Sequence, residues 1–200
     1  RSRRAVRRAF GYYVAPQLLG EIERKAGRLE LGGELREITV MFCDMRGFMS
    51  FTERHTPQDT LNTLNTIFGA LGKEVVDRFG TIDKFIGDAI MAFWNAPVDV
   101  AEHPRKAALA ALAMRETLGR LNARHAFGDS TIAVGVGIAT GVALVGNMGL
   151  KTRFDYSTIG DPVNVASRVE GESKVIGFDL VAAEPTAVAT SDLAWLEAGS

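Results

Sequence analysis

The chain has 200 residues, 46% of them apolar and 24% charged, which suits one α/β domain with a sizeable core and excludes disordered and fibrous classes. With 23 basic against 24 acidic residues the net charge is −1, so the overall balance draws the chain to neither nucleic acid nor an acidic surface. One cysteine, Cys43, cannot close an internal disulfide, which fits a reducing compartment, and no apolar run reaches the roughly 18 residues of a membrane helix.

The chain opens at Arg1 rather than Met, the mark of a fragment or processed piece, and five arginines fall in its first eight residues. Residues 1–30 read as a linker or helical segment ahead of a folded unit at 31–200. The arginine run is either a solvated helix end or a linker beside an anionic leaflet. Ile38 to Asp44 then reads as a buried strand in which Cys43 packs as a small hydrophobe. From Thr56 to Phe79, apolar residues at Leu61, Leu64, Ile67, Phe68, Leu71, Val75, Val76 and Phe79 keep the spacing of an amphipathic helix. Thr56 is its N-cap, Pro57 its first position and Gly80 its stop. Thr81 to Ile86 and Ile90 to Trp94 read as strands joined by "GDA", with Asp88 in the turn.

A second helix runs from Pro104 to Arg124, and "STIAVGVGIATG" gives a β-branched strand that ends in glycines. The order βαββαβ predicts an α+β fold with a ferredoxin-like core, a palm-like antiparallel sheet carrying both helices on one face. Beyond it come "RFDYSTIGD" as strand and turn, a helix opened by Pro162, and "FDLVAA" as a last strand. His55, His103 and His125 have no metal-ligand spacing and read as capping or surface residues.

Asp44 poses the chemical question, since a carboxylate at the lip of a core strand either caps the turn or holds a metal. The strand order sets it beside Asp88, and two edge carboxylates suit a pair of hard divalent cations that share substrate phosphates. In-line displacement at phosphorus is the chemistry such ions support. The "MRGF" turn leaves backbone N–H groups that can cradle phosphate oxygens, with Gly47 allowing close approach. On residues alone three functions compete: nucleotide polymerisation or cyclisation, a phosphohydrolase, and a domain that only binds nucleotide or a partner.

Three stretches in order, "FCDMRGFMSFTE", "DKFIGDAIMAFW" and "YSTIGDPVNVASR", resemble the catalytic domain of the class III nucleotidyl cyclases, most closely the bacterial adenylate cyclases. The resemblance implies that Asp44 and Asp88 bind two magnesium or manganese ions, with the Met45 carbonyl a further ligand and Gly47 and Phe48 in the phosphate-holding turn. It implies that Lys84 and Ser157 read the purine and that Asn164 and Arg168, one helical turn apart, orient the ribose and stabilise charge on the reacting phosphate. An amino group donating to adenine N1 and a hydroxyl accepting from its exocyclic amine read adenine's edge, whereas guanine presents the opposite pattern. A serine hydroxyl rotates, so it is a less decisive acceptor than a carboxylate.

The resemblance further implies ATP as substrate and a homodimer that shares its site between chains. It points to a cytoplasmic domain, as in a membrane-anchored receptor cyclase, reaching a membrane only through segments outside this chain. Lys84 and Asp88 lie about 13 Å apart on an extended strand, so spacing alone leaves a single-chain site open. Guanylate cyclisation and a non-catalytic dimerisation domain are the alternatives. The chain departs from the family pattern at Met49, usually Thr, and at Val142, where some animal relatives carry an arginine. It also stops at Ser200, before the region where the family places a second lysine for the triphosphate.

Overall fold

The computed structural model describes residues 32–150 and 153–198, so the expected linker at 1–30 lies outside the described residues. The elements are β1 (Gly32–Arg46), α1 (Phe48–Thr52), α2 (Pro57–Asp77), β2 (Thr81–Ile86), β3 (Ala89–Trp94), α3 (His103–Ala123), β4 (Ala133–Leu150), β5 (Arg153–Ile159), α4 (Asp161–Ile176), β6 (Leu180–Ala182) and α5 (Glu184–Ala189). The sheet runs β2-β3-β1-β4-β5, with β6 parallel to β4 and every other pairing antiparallel. This is the expected βαββαβ core extended by C-terminal strands and helices.

Alternation along β1 separates two hydrophobic layers. Met41, Cys43 and Met45 join Ile67 and Leu71 of α2 and Ala107, Ala111 and Met114 of α3. On the other face, Ile38 and Val40 join Met91, Phe93, Ala139 and Ala166, the last from α4. Helices α2 and α3 therefore share one face, as predicted, while α4 covers the opposite one. Asp44 shares the parity of Val40 and so looks toward α4. Cys43 is buried, and burial pushes its thiol well above the usual range, which fits a packing role.

Helix α2 begins where its sequence predicts, with the Thr56 hydroxyl oxygen accepting the Asp59 backbone N–H at 3.1 Å. Ile67, Leu71 and Val75 of its apolar stripe are buried, Leu64, Phe68 and Val76 are partly buried, and Leu61 is 51% exposed. His103 is corrected by the fold. It is the buried first residue of α3, its Nδ1 lies 2.8 Å from Thr39 Oγ1, and burial lowers its pKa. His55 closes a local turn, with Nδ1 donating to the Phe51 carbonyl at 2.8 Å.

Strand β4 is the largest departure from expectation. It continues through the glycines predicted to end it and reaches Leu150, while β1 begins at Gly32 rather than Ile38 to pair along it. The glycines instead let α4 lie directly on the sheet. A Cβ at Gly137 would fall 2.3 Å from the Ala166 carbonyl oxygen and 2.3 Å from the Glu170 nitrogen, so any side chain there must lift the helix. Gly137→Ala is expected to cost about 3 kcal/mol, the upper part of the overpacking range, because backbone rather than a pliable side chain receives the methyl. Urea denaturation checks this, and a midpoint equal to wild type would refute the contact.

The outer half of β4 carries β5 back over the α4-side face. The Tyr156 ring lies 6.2 Å from that of Phe93, although β1 and β4 separate their strands.

Candidate active site

Asp44 stays within β1, and the short helix that follows has Gly47 as an N-cap without side-chain help, so Asp44 does not cap the turn. Its register partner on β3 is Ala89, one residue past Asp88 in the hairpin turn, which brings the two carboxylates to one edge. Burial and then the Asp44 charge raise the Asp88 pKa. A carboxylate whose ionisation is disfavoured by its neighbour's charge calls for a cation. Lys174 of α4 supplies one in part, with Nζ 3.6 Å from Asp44 Oδ2.

Glu170, one helical turn before Lys174, stands behind this pair. Its Oε1 is buried with no hydrogen-bond partner among the described residues, and its pKa is raised by burial and by Asp44. Arg46, at the end of β1, holds α4 in place by donating to Ser173 Oγ at 3.1 Å and to the Phe178 carbonyl at 2.5 Å. Among the described residues no group of three or more His, Cys, Asp or Glu is arranged to enclose a metal. Two carboxylates, with an orphaned carboxylate oxygen behind them, fit magnesium or manganese, which commonly take one or two carboxylates and complete their shell with water and substrate phosphate. The Met45 side chain is buried in the α2–α3 layer, leaving only its backbone for that edge. Gly47 has φ 71°, in the left-handed region glycine favours, and nothing within 4 Å of its Cβ position, so the turn into Phe48 is open to a ligand. Met49 is exposed beside it.

The second centre joins Lys84 and Ser157, 73 residues apart. Lys84 Nζ donates to Ser157 Oγ at 3.3 Å, and Ser157 Oγ donates to Asp83 Oδ2 at 2.7 Å. Lys84 Nζ also lies 3.3 Å from Asp83 Oδ1, an ion pair without the alignment of a hydrogen bond. The register of β2 against β3 shifts between Ile82 and Lys84, a bulge that inserts Asp83.

Asn164 and Arg168 are both exposed on α4, on the side opposite Ala166 and Ser173, which face the sheet. They point away from their own chain's Asp44. The structure thus brings Asp44 to Asp88 and Lys84 to Ser157, and leaves Asn164 and Arg168 facing outward.

Residues 33–180 match the family described as the Adenylate and Guanylate cyclase catalytic domain. The chain belongs to that family. It is 36% identical over 187 residues to an adenylate cyclase of Anabaena cylindrica, covering 90% of this chain and 35% of that protein, so it spans about a third of that relative. Among solved structures, the adenylyl cyclase CyaB from P. aeruginosa aligns with a TM-score of 0.74 at 31% identity over 82% of this chain and 84% of that one. The guanylyl cyclase Cya2 aligns with a TM-score of 0.73 at 30% identity over 80% of each chain. Neighbours of both base specificities share the fold of this cyclase domain, so the fold does not choose the base.

Three residues of the cyclase domain's candidate site escape a reading of the sequence: Asp83, Glu170 and Lys174. The four-residue spacing of Glu170 and Lys174 on a helix was a usable signal, since it puts both on one face. Asp83 had none, because strict alternation from Lys84 sends it to the opposite face of β2.

Proposed function

We propose that this domain is an adenylate cyclase, converting ATP to 3′,5′-cyclic AMP and pyrophosphate at a site shared by two copies of the chain. The observation that carries the adenine reading is the 3.3 Å contact of Lys84 with Ser157. An ammonium donor beside a hydroxyl with acceptor capacity complements the N1 acceptor and the exocyclic amine of adenine. Asp44, Asp88 and the Met45 carbonyl would hold two magnesium or manganese ions, which supply a lowered pKa at the attacking 3′-hydroxyl and neutralise charge on the leaving oxygens. The open turn at Gly47 and Phe48 holds the phosphates through backbone N–H groups.

Asn164 orients the ribose, and Arg168 stabilises charge on the phosphate that is attacked. What supports a shared site is their position on the far side of α4 from Asp44, since a helix about 10 Å across separates them from their own carboxylates. A second copy related by two-fold symmetry brings the metals of one chain to Asn164 and Arg168 of the other. The unit so read runs over residues 31–200, works in the cytoplasm where ATP is supplied, and leaves 1–30 as linker. Among the described residues no helix is long and apolar enough to cross a membrane.

Turnover of ATP and of GTP with manganese tests the reading directly. Faster cyclic AMP formation is expected, and GTP-only turnover or no turnover would overturn it. Replacing Lys84 by Glu and Ser157 by Cys together is expected to shift the ATP-to-GTP preference by about a hundredfold or more. Each mismatched buried donor or acceptor costs about 1 to 3 kcal/mol, and two positions change. An unchanged preference would remove both residues from base reading.

A further inference from the structure

We infer that Asp83 is a positioning residue that sets the hydrogen-bond polarity of Ser157 and thereby makes the pocket select adenine over guanine. The inference rests on the adenylate reading above and deepens it. A serine hydroxyl has one proton to donate and two lone pairs, and either can face a ligand unless a neighbour decides. Asp83 decides. Its side chain is 0% exposed, and its Oδ2 lies 2.7 Å from Ser157 Oγ. An ionised carboxylate only accepts, so the serine proton is committed to Asp83.

Of the two remaining lone pairs, one faces the Lys84 ammonium at 3.3 Å. The last is left for the base, where it can accept from an amine and cannot donate to a carbonyl. Burial raises the Asp83 pKa, and the Ser157 hydroxyl and the Lys84 ammonium oppose that shift and favour its ionised form. Adenine offers an amine at the position where guanine offers a carbonyl oxygen. To bind guanine, Ser157 would have to turn its proton outward and leave a buried carboxylate oxygen without its donor.

The bulge makes this possible. With Ile82 paired to Ala92 and Lys84 paired to Met91, Asp83 is the extra residue of β2, and it reaches Ser157 on the same side as Lys84. Bulges re-aim side chains in this way beside functional sites. Asp83 needs no contact with substrate, because it acts through Ser157.

The test is the ratio of kcat/KM for ATP to that for GTP in wild type, Asp83→Asn, Ser157→Ala and the double variant. An asparagine amide can either accept from or donate to Ser157, so Asp83→Asn frees the hydroxyl and is expected to lower the ratio by about tenfold or more. With Ser157→Ala in place, Asp83→Asn is expected to leave the ratio unmoved, which a merely structural role would not predict. Should Asp83→Asn melt well below wild type, Asp83→Ser, smaller and equally undecided in polarity, carries the same comparison. Ser157→Thr, which keeps hydroxyl and carboxylate, is expected to hold the wild-type ratio, and a lost preference there would count against the role of Asp83. A wild type that prefers ATP with a ratio unmoved by Asp83→Asn, or moved equally without the Ser157 hydroxyl, overturns the role of Asp83 alone. A wild type with no ATP turnover sinks the adenylate reading, and this inference with it.

Discussion

Asp44→Ala and Asp88→Ala are each expected to lower ATP cyclisation by about a thousandfold or more while leaving the domain folded, since two-ion catalysis supplies several kcal/mol and each carboxylate is a principal ligand. The structure separates the two effects. Asp44 sits near the end of β1 and Asp88 in the β2–β3 turn, and neither belongs to a hydrophobic layer. Burial and the Asp44 charge already disfavour ionised Asp88, so removing that charge relieves rather than breaks a native interaction. The Asp44 ion pair with Lys174 is partly exposed and contributes little to stability. Cyclic AMP formation across a manganese titration, with thermal melting as the control for folding, gives the result. Activity within a few-fold of wild type in either variant would remove the metal assignment.

The second large effect is a recovery. Asp44→Ala and Arg168→Ala are each expected to be inactive, and mixing them in equal amounts with free subunit exchange is expected to restore about one quarter of wild-type activity. In a two-fold dimer each site takes its metal ligands from one chain and its arginine from the other, so a mixed dimer holds one site with both lesions and one with neither. Random pairing makes half the dimers mixed, and one site in two works in each. Arg168 and Asn164 lie on the side of α4 that faces away from the sheet, and neither is buried against its own chain. A single-chain site predicts no recovery at any mixing ratio, provided exchange has been confirmed by labelled subunits.

Much of the site was legible because its residues sit on elements with strong local signals. The capped start of α2 at Thr56 and Pro57, the β2–β3 hairpin around Asp88, and the helix opened by Pro162 all follow from turn, cap and periodicity rules that act within a few residues. The pairing of β1 with the hairpin followed from strand order, and the register of Asp44 with Ala89 bears it out. The His103 side chain was misread because a lone histidine before a helix carries no mark of burial, and its partner Thr39 lies 64 residues away.

What the sequence by itself determined was the set of elements, their order, and the carboxylates and basic residues at their ends, since hydrophobic periodicity and turn chemistry are properties of neighbouring residues. Only the tertiary structure decided that β4 runs on past Gly141, that α4 lies across the face carrying Asp44, and that β5 folds back to set Ser157 against Asp83 and Lys84. The reason is physical. A glycine has no side chain to register in a burial pattern, so a position chosen for the closeness of a packed helix looks the same as a strand's end. A bulge shifts one residue to the other face without changing composition. Contacts across 73 or 74 residues depend on how far the sheet curls, and that is set by packing summed over the whole domain.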